Sequence, residues 1–170
     1  MAIQLKSISK AGIPEAISKV DLYRSLNEPE EAESICRDIL AVDPRHQLAL
    51  RLLGLAITDQ FGVDMSDRWR EALDTFEKLG DPYERLYYAG LLHERRAKAQ
   101  LKAGRLHPRA LAPLFEEALR CFAEAERIRP PENDDAILRW NRCVRLLQSH
   151  PGFQEAQEPA GFDAHDSSPV

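Results

Sequence analysis

The sequence predicts an all-α protein built from helical hairpins. Its 170 residues are 44% hydrophobic and 30% charged, which is the balance of a single globular domain. Helix-favouring Ala, Leu, Glu and Arg dominate, and apolar residues recur at three- and four-residue spacing along most of the chain. No stretch alternates with the two-residue period of a strand, and no Asn-Gly or Asp-Gly hairpin turn occurs.

Prolines, glycines and capping residues divide this pattern into seven helices. Pro14 and Pro29 suit first helical positions, where the missing N–H costs no hydrogen bond. Pro44 and Pro82 each follow a helix end, because the residue before a proline is pushed out of the helical region. Asp64 or Ser66 is expected to cap the fourth helix, which ends near residue 79. The other six are expected over 14–26, 29–42, 45–61, 83–103, 113–128 and 134–149.

Three segments fall outside this pattern. Residues 1–12 are weakly patterned and are interpreted as an N-terminal extension. Residues 105–112 contain Pro108 and precede Pro113, so an irregular or kinked segment is expected there. Residues 151–170 have no periodicity and carry three prolines with small and acidic residues, which predicts a disordered acidic tail.

A repeated spacing links the helices. Ala72 and Phe76 are four residues apart, and a glycine lies in the helix before them (Gly54) and in the helix after them (Gly90). Small residues at these points allow two helices to approach closely, and the large residue wedges between neighbouring hairpins. The same spacing occurs in full twice, in Ala32, Cys36, Ile39 and Pro44 and in Ala118, Phe122, Ala125 and Pro130.

This spacing resembles the tetratricopeptide repeat family over about residues 13–150. The resemblance implies an α-α superhelix of about three tetratricopeptide-like hairpins plus a C-terminal capping helix. Val20 and Asn141 depart from the family pattern, which prefers glycine or alanine there. Extra residues around 61–67 and 101–112 lengthen the second and third units.

Charge and cysteine content restrict the location and the partners. The net charge of −5 does not favour general binding to nucleic acid or to anionic membranes. No apolar run reaches signal-peptide or membrane-span length, so a cytoplasmic protein is expected. The three cysteines, Cys36, Cys121 and Cys143, are far apart and lie in apolar helical patterns, which predicts reduced, buried thiols.

The sequence offers no catalytic, cofactor or metal constellation. Glycine motifs for nucleotides and nucleophile motifs are absent, so the protein is expected not to be an enzyme and to hold no cofactor. His46, His93 and His107 lack metal-ligand spacing with any Cys, Asp or Glu on the same helix face, so no metal site is expected.

Basic residues concentrate in the second half of this acidic chain. Arg139, Arg142 and Arg145 step at three-residue spacing along the last helix, and Arg95 belongs to a basic cluster near the end of the long helix. On an inner face these arginines would receive peptide carboxylates through bidentate hydrogen bonds. The alternative is ordinary pairing with Glu94, Glu116, Glu117, Asp134 and Asp135 on a solvated face.

Apolar and aromatic residues provide a second candidate surface. Chaperone-binding tetratricopeptide proteins use a basic and asparagine clamp, but the matching positions here carry Ile17, Asp21, Leu52 and Leu55. Leu55, Tyr87, Tyr88 and Leu91 would instead floor an apolar groove. Packing of the two tyrosines between repeats is an equally favoured interpretation.

These observations favour a non-enzymatic adaptor that holds a peptide or helix of another protein on its concave face. The partner residues expected are Arg139, Arg142, Arg145, Tyr87, Tyr88, Leu55 and Arg95. A small secretion-type chaperone with one dedicated client is the alternative. The expected state is a monomer or weak dimer, with no nucleic-acid or membrane partner.

Overall fold

The computed structural model describes residues 3–62 and 68–154, and the secondary structure there is helical, which confirms the all-α class. A 3₁₀ turn over Lys10–Gly12 precedes the first α-helix. The α-helices are α1 (Ile13–Ser25), α2 (Pro29–Val42), α3 (Gln47–Asp59), α4 (Arg68–Glu77), α5 (Pro82–Ala103), α6 (Pro108–Arg127), α7 (Asp135–Ser149) and α8 (Pro151–Gln154).

Most helix ends lie within two residues of their predicted positions, because local chemistry sets them. His46 caps α3 by accepting a hydrogen bond from the Ala49 N–H at 3.1 Å. Gly104 ends α5 in the left-handed region (φ 66°), where glycine has no Cβ penalty. The predicted caps of α4, Asp64 and Ser66, lie outside the described residues.

Consecutive helices pack against each other from α1 to α8, and the odd-numbered helices also contact one another. Contacts join α1 to α3, α3 to α5 and α5 to α7. We call this set of four helices the inner row. Its members are tied side by side, so residues from distant parts of the sequence lie next to each other.

Two glycines allow the two helices of a hairpin to approach each other closely. The ring of Phe76 on α4 packs against Gly54 on α3, and the ring of Phe122 on α6 packs against Gly90 on α5. A Cβ on either glycine would clash with the facing ring. The close approach expected at these glycines is therefore present in both hairpins, but each phenylalanine ring packs on the glycine of its own hairpin, a contact that the repeat spacing did not predict.

The sixth helix begins earlier than the sequence pattern predicted. Residues 105–112 were expected to be irregular, but α6 starts at Pro108, with His107 accepting from the Arg109 N–H at 3.3 Å. Pro113 lies inside the helix and removes one backbone donor. Leu111 and Phe115 are fully buried on either side of it. Burial of this apolar face outweighs the lost hydrogen bond.

The predicted C-terminal tail, residues 151–170, also differs from the structure where it begins. Residues 151–154 form α8 instead of a disordered segment, while residues 155–170 lie outside the described part of the chain. Phe153 is 8% exposed and meets the Phe115 ring edge-on, with centroids 5.6 Å apart. Gly152 lies against Pro108 of α6. One aromatic anchor therefore holds this turn to the domain.

In the described part of the chain, buried apolar residues form three clusters along the series of helices, two of them large. The first large cluster runs from α1 to α5 around Ile39, Ile57 and Phe76. The second joins α5 to α8 around Phe115 and Phe122. Cys36, Cys121 and Cys143 are free and buried, as predicted. No described helix combines the length and hydropathy needed to cross a membrane.

Candidate protein-binding face

Ion pairs connect the helices of the inner row. Asp59 on α3 accepts from Arg24 Nε of α1 at 2.8 Å and from Arg95 Nη1 of α5 at 2.5 Å. Arg51 of α3 pairs with Glu84 of α5. We call these contacts, together with the Glu94–Arg139 contact described below, the ion-pair ladder. The ladder holds helices that are distant in sequence at fixed relative positions.

Arg95, predicted to contact a partner, belongs to this ladder. Its Nη1 also donates to Thr58 Oγ1 at 2.6 Å, and its side chain is 26% exposed. Burial lowers the pKa of Arg95, while the charge of Asp59 and a hydrogen bond to it act in the opposite direction. The guanidinium is thus used between α3 and α5 instead of facing solvent.

Arg139 joins α7 to a buried carboxylate on α5. Its Nη1 lies 3.6 Å from Glu94 Oε2, and Glu94 is fully buried and also pairs with Lys98. Burial acts to lower the pKa of Arg139, but the Tyr87 hydroxyl and Glu94 raise it overall. Arg139 therefore follows the alternative considered from sequence, a pairing within the chain.

Tyr88 packs between hairpins, and Tyr87 packs within the α5–α6 hairpin. Tyr88 stacks on Phe76 with centroids 5.1 Å apart, and burial raises its pKa to about 12. Tyr87 stacks on Tyr83 at 5.9 Å and meets Phe122 at 6.0 Å. Leu55 is half-buried against the first core cluster. These three side chains contribute mainly to packing between α3, α4, α5 and α6.

Arg142 and Arg145 differ from the other predicted contact residues because both are exposed. Neither has an acidic partner within ion-pair distance in the described residues, 3–62 and 68–154. Leu138 is 63% exposed and precedes Arg142 by four residues. These three residues share one face of α7 at positions i, i+4 and i+7. We call them the α7 strip, which the sequence analysis identified only in its two arginines.

A separate cleft opens where α6, α7 and α8 meet. Its volume is about 560 Å³, and its apolar walls are Ala112, Val144, Leu147 and Phe153. Arg109, Glu116, Gln148 and Gln154 surround them. The cleft exists because α8 folds back onto α6, so the sequence-based view of a tail at this position did not reveal it.

No family model, curated protein or solved structure matches this chain. The tetratricopeptide resemblance thus stays a prediction from residue spacing.

One cluster of metal-ligating types was missed from sequence. His93 of α5 lies beside Glu117 and Cys121 of α6, and their ligand atoms are all within 4.8 Å of one another. Residue spacing reveals ligands that share a single helix face. These residues meet across two helices, so only the i, i+4 spacing of Glu117 and Cys121 would have indicated part of the cluster.

Proposed function

We propose that this protein is a non-enzymatic adaptor that binds an acidic, partly apolar peptide or helix of another protein. The α7 strip is the observation that supports it most directly. Exposed Leu138 precedes Arg142 and Arg145 on one face of α7, and neither arginine has an acidic partner within ion-pair distance in the described part of the chain. This face therefore combines apolar area with unused guanidinium donors. A partner carboxylate would gain bidentate, charge-assisted hydrogen bonds there.

We also infer that the hairpins stack as a tetratricopeptide-like superhelix with the inner row on the concave side. The matching glycine–phenylalanine contacts in two hairpins support this arrangement. Contacts among α1, α3, α5 and α7 also support it, because such a stack places the first helix of each hairpin beside the next. A crystal structure with α2, α4 and α6 on the concave side would contradict it.

The ladder favours the α7 strip over the rest of the inner row as the binding position. Arg95 and Arg139 already have carboxylate partners, so binding through them would first break a pair in the chain. Arg142 and Arg145 carry no such cost. Solvent-exposed charges of this kind contribute more to association rate and specificity than to total affinity, so apolar contact at Leu138 is needed as well.

The test compares capture of partners by two double variants. Arg142→Glu/Arg145→Glu reverses the strip, while Arg127→Glu/Lys78→Glu makes the same charge change at exposed residues at the ends of α6 and α4. These two control residues also have no ion pair in the described part of the chain. Proteins bound from a native lysate should be lost from the first variant and kept by the second, with melting temperatures unchanged.

The partner segment can then be tested directly. A synthetic peptide of the captured segment should bind the wild type, and replacing its acidic residues with lysine should restore binding to the Arg142→Glu/Arg145→Glu variant. Equal capture of the partner by the wild type and by Arg142→Glu/Arg145→Glu would show that the α7 strip is not the binding site. Recovery of one client in stoichiometric amounts, with a dimer mass by light scattering, would instead identify a dedicated chaperone.

A further inference from the structure

The contact between α5 and α6 brings three different metal-ligating side chains together. His93 lies one turn after Gly90, and Cys121 precedes Phe122, the ring that packs on that glycine. The close approach of α5 and α6 that Gly90 permits therefore places the His93 imidazole beside the Cys121 thiol. Glu117 is four residues before Cys121 and completes the cluster, with all ligand atoms within 4.8 Å of one another.

The donor set matches one class of ion. Imidazole nitrogen, thiolate sulfur and carboxylate oxygen are the three ligand types of Zn²⁺ in proteins, whereas Mg²⁺ and Ca²⁺ select oxygen ligands. A thiolate in the set favours a thiophilic divalent ion. Bonds of about 2.0–2.3 Å from a shared ion would require the ligand atoms to draw closer by side-chain rotation.

His93 and Glu117 differ in the contacts that ligation of an ion would change. His93 Nδ1 is buried and has no hydrogen-bond partner among the described residues, so ligation through the ring would not break a bond of that atom seen there. Glu117 accepts two hydrogen bonds from Arg120, from Nη2 at 2.5 Å and from Nε at 3.1 Å, and an ion would weaken both. Arg120 also donates to Glu124 at 2.7 Å, so its guanidinium keeps a carboxylate partner.

We propose that His93, Glu117 and Cys121 form a site for a thiophilic divalent transition-metal ion, with Zn²⁺ the best match. His93 and Glu117 are half-buried and not fully enclosed, so a fourth position is accessible to water or to a ligand from a partner. Binding replaces the thiol proton of Cys121, which leaves to solvent, with a metal–sulfur bond. The ion would join α5 to α6, at a place separate from the α7 strip.

Cobalt(II) provides a direct test because its bond to a thiolate gives a charge-transfer absorption in the near ultraviolet. Co²⁺ is titrated into the metal-free, full-length protein under reducing conditions. The wild type should develop this band with saturation at one ion per chain. Cys121→Ser should abolish the band, and His93→Gln and Glu117→Gln should weaken Co²⁺ binding at least tenfold.

Cys143→Ser is the matched control, since Cys143 is also a buried free thiol but belongs to no such cluster in the described residues. It should keep the band. Zn²⁺ should also raise the melting temperature of the wild type and of Cys143→Ser, but not that of His93→Gln. A wild type without the band at millimolar Co²⁺ overturns the proposal, and so does a band that survives in folded Cys121→Ser or His93→Gln.

Discussion

Phe76 fills the space that a side chain on Gly54 would need. A Cβ built on Gly54 would lie 2.2 Å from Cε1 of the Phe76 ring, far inside van der Waals contact. The equivalent distance from Gly90 to the Phe122 ring is 2.7 Å. Helix α3 therefore approaches α4, and α5 approaches α6, through the same contact of backbone with ring.

Gly54→Ala should destabilise the protein although alanine is the better helix former. Overpacking costs typically ~1–3 kcal/mol, and the cost here must also exceed the ~1 kcal/mol gained in helix propensity. Because the distance of 2.2 Å puts the overpacking cost in the upper part of that range, we expect a net loss of about 1–2 kcal/mol in the free energy of unfolding, measured by urea denaturation. Gly90→Ala should cost less, because its Cβ clash is milder.

Gly62→Ala serves as the control, because a Cβ there would meet only the Gln60 carbonyl oxygen at 4.0 Å. It should leave the urea midpoint nearly unchanged. Phe76→Leu replaces the ring with a smaller side chain. Adding Gly54→Ala to Phe76→Leu should therefore cost less unfolding free energy than adding Gly54→Ala to the wild type. Full additivity of the two changes would show that the clash is not the cause.

Glu94→Ala should destabilise the junction of α5 and α7. The change removes the only carboxylate paired with Lys98 and Arg139 in the described residues. Breaking a fully buried pair costs ~3–5 kcal/mol, and we expect about 2–3 kcal/mol here because both cations retain some exposure. Chemical denaturation measures the loss.

Glu15→Ala is the comparison, since its carboxylate is 76% exposed and lies 3.4 Å from Lys19. An exposed pair of this kind is worth ~0–1 kcal/mol, so the urea midpoint should barely move. Equal effects of Glu94→Ala and Glu15→Ala would mean that Glu94 is not an internal link between helices.

Asp59 should couple Arg24 to Arg95 energetically. If one arginine is removed, the other still neutralises the Asp59 carboxylate. If both are removed, the Asp59 carboxylate is left without these two cations. A double-mutant cycle of Arg24→Ala and Arg95→Ala should therefore show a coupling of at least ~0.5 kcal/mol in unfolding free energy. The coupling should disappear in an Asp59→Asn background. Additivity in both backgrounds would contradict the shared role of Asp59.

Glu33 should make the protein less stable in acid. It is 8% exposed and accepts hydrogen bonds from Arg68 at 2.8 Å and from Arg37 and Gln60 at 2.5 Å. Burial alone raises the pKa of Glu33, but these hydrogen bonds hold it below the ordinary value of 4.5. A lowered folded-state pKa adds stability that is present above the unfolded-state pKa and lost as pH falls through the folded-state pKa.

Urea midpoints measured from about pH 7 to about pH 3 would show this loss. In Glu33→Gln the group no longer titrates, so the decline below pH 4.5 should be shallower than in the wild type. Parallel pH profiles for the two proteins would rule out Glu33 as a source of the acid sensitivity.

Helix positions were largely predictable because caps, prolines and apolar spacing act within a few residues. The exact agreement of α2, Pro29–Val42, reflects a proline at its start and Asp43-Pro44 after its end. The predicted start of α6 was wrong because Pro113 was interpreted as the first residue of the helix. Burial of Leu111 and Phe115, a tertiary effect, carries the helix through that proline.

The sequence by itself determined the helical class, most helix bounds and the two glycines where helices approach closely. It also identified the arginines of α7 but gave them one common role. Tertiary packing decided that Arg139 pairs with Glu94, whereas Arg142 and Arg145 remain exposed. Likewise, only the approach of α5 to α6 placed His93 beside Cys121. Contacts between helices depend on which faces meet, and spacing along one helix does not contain that information.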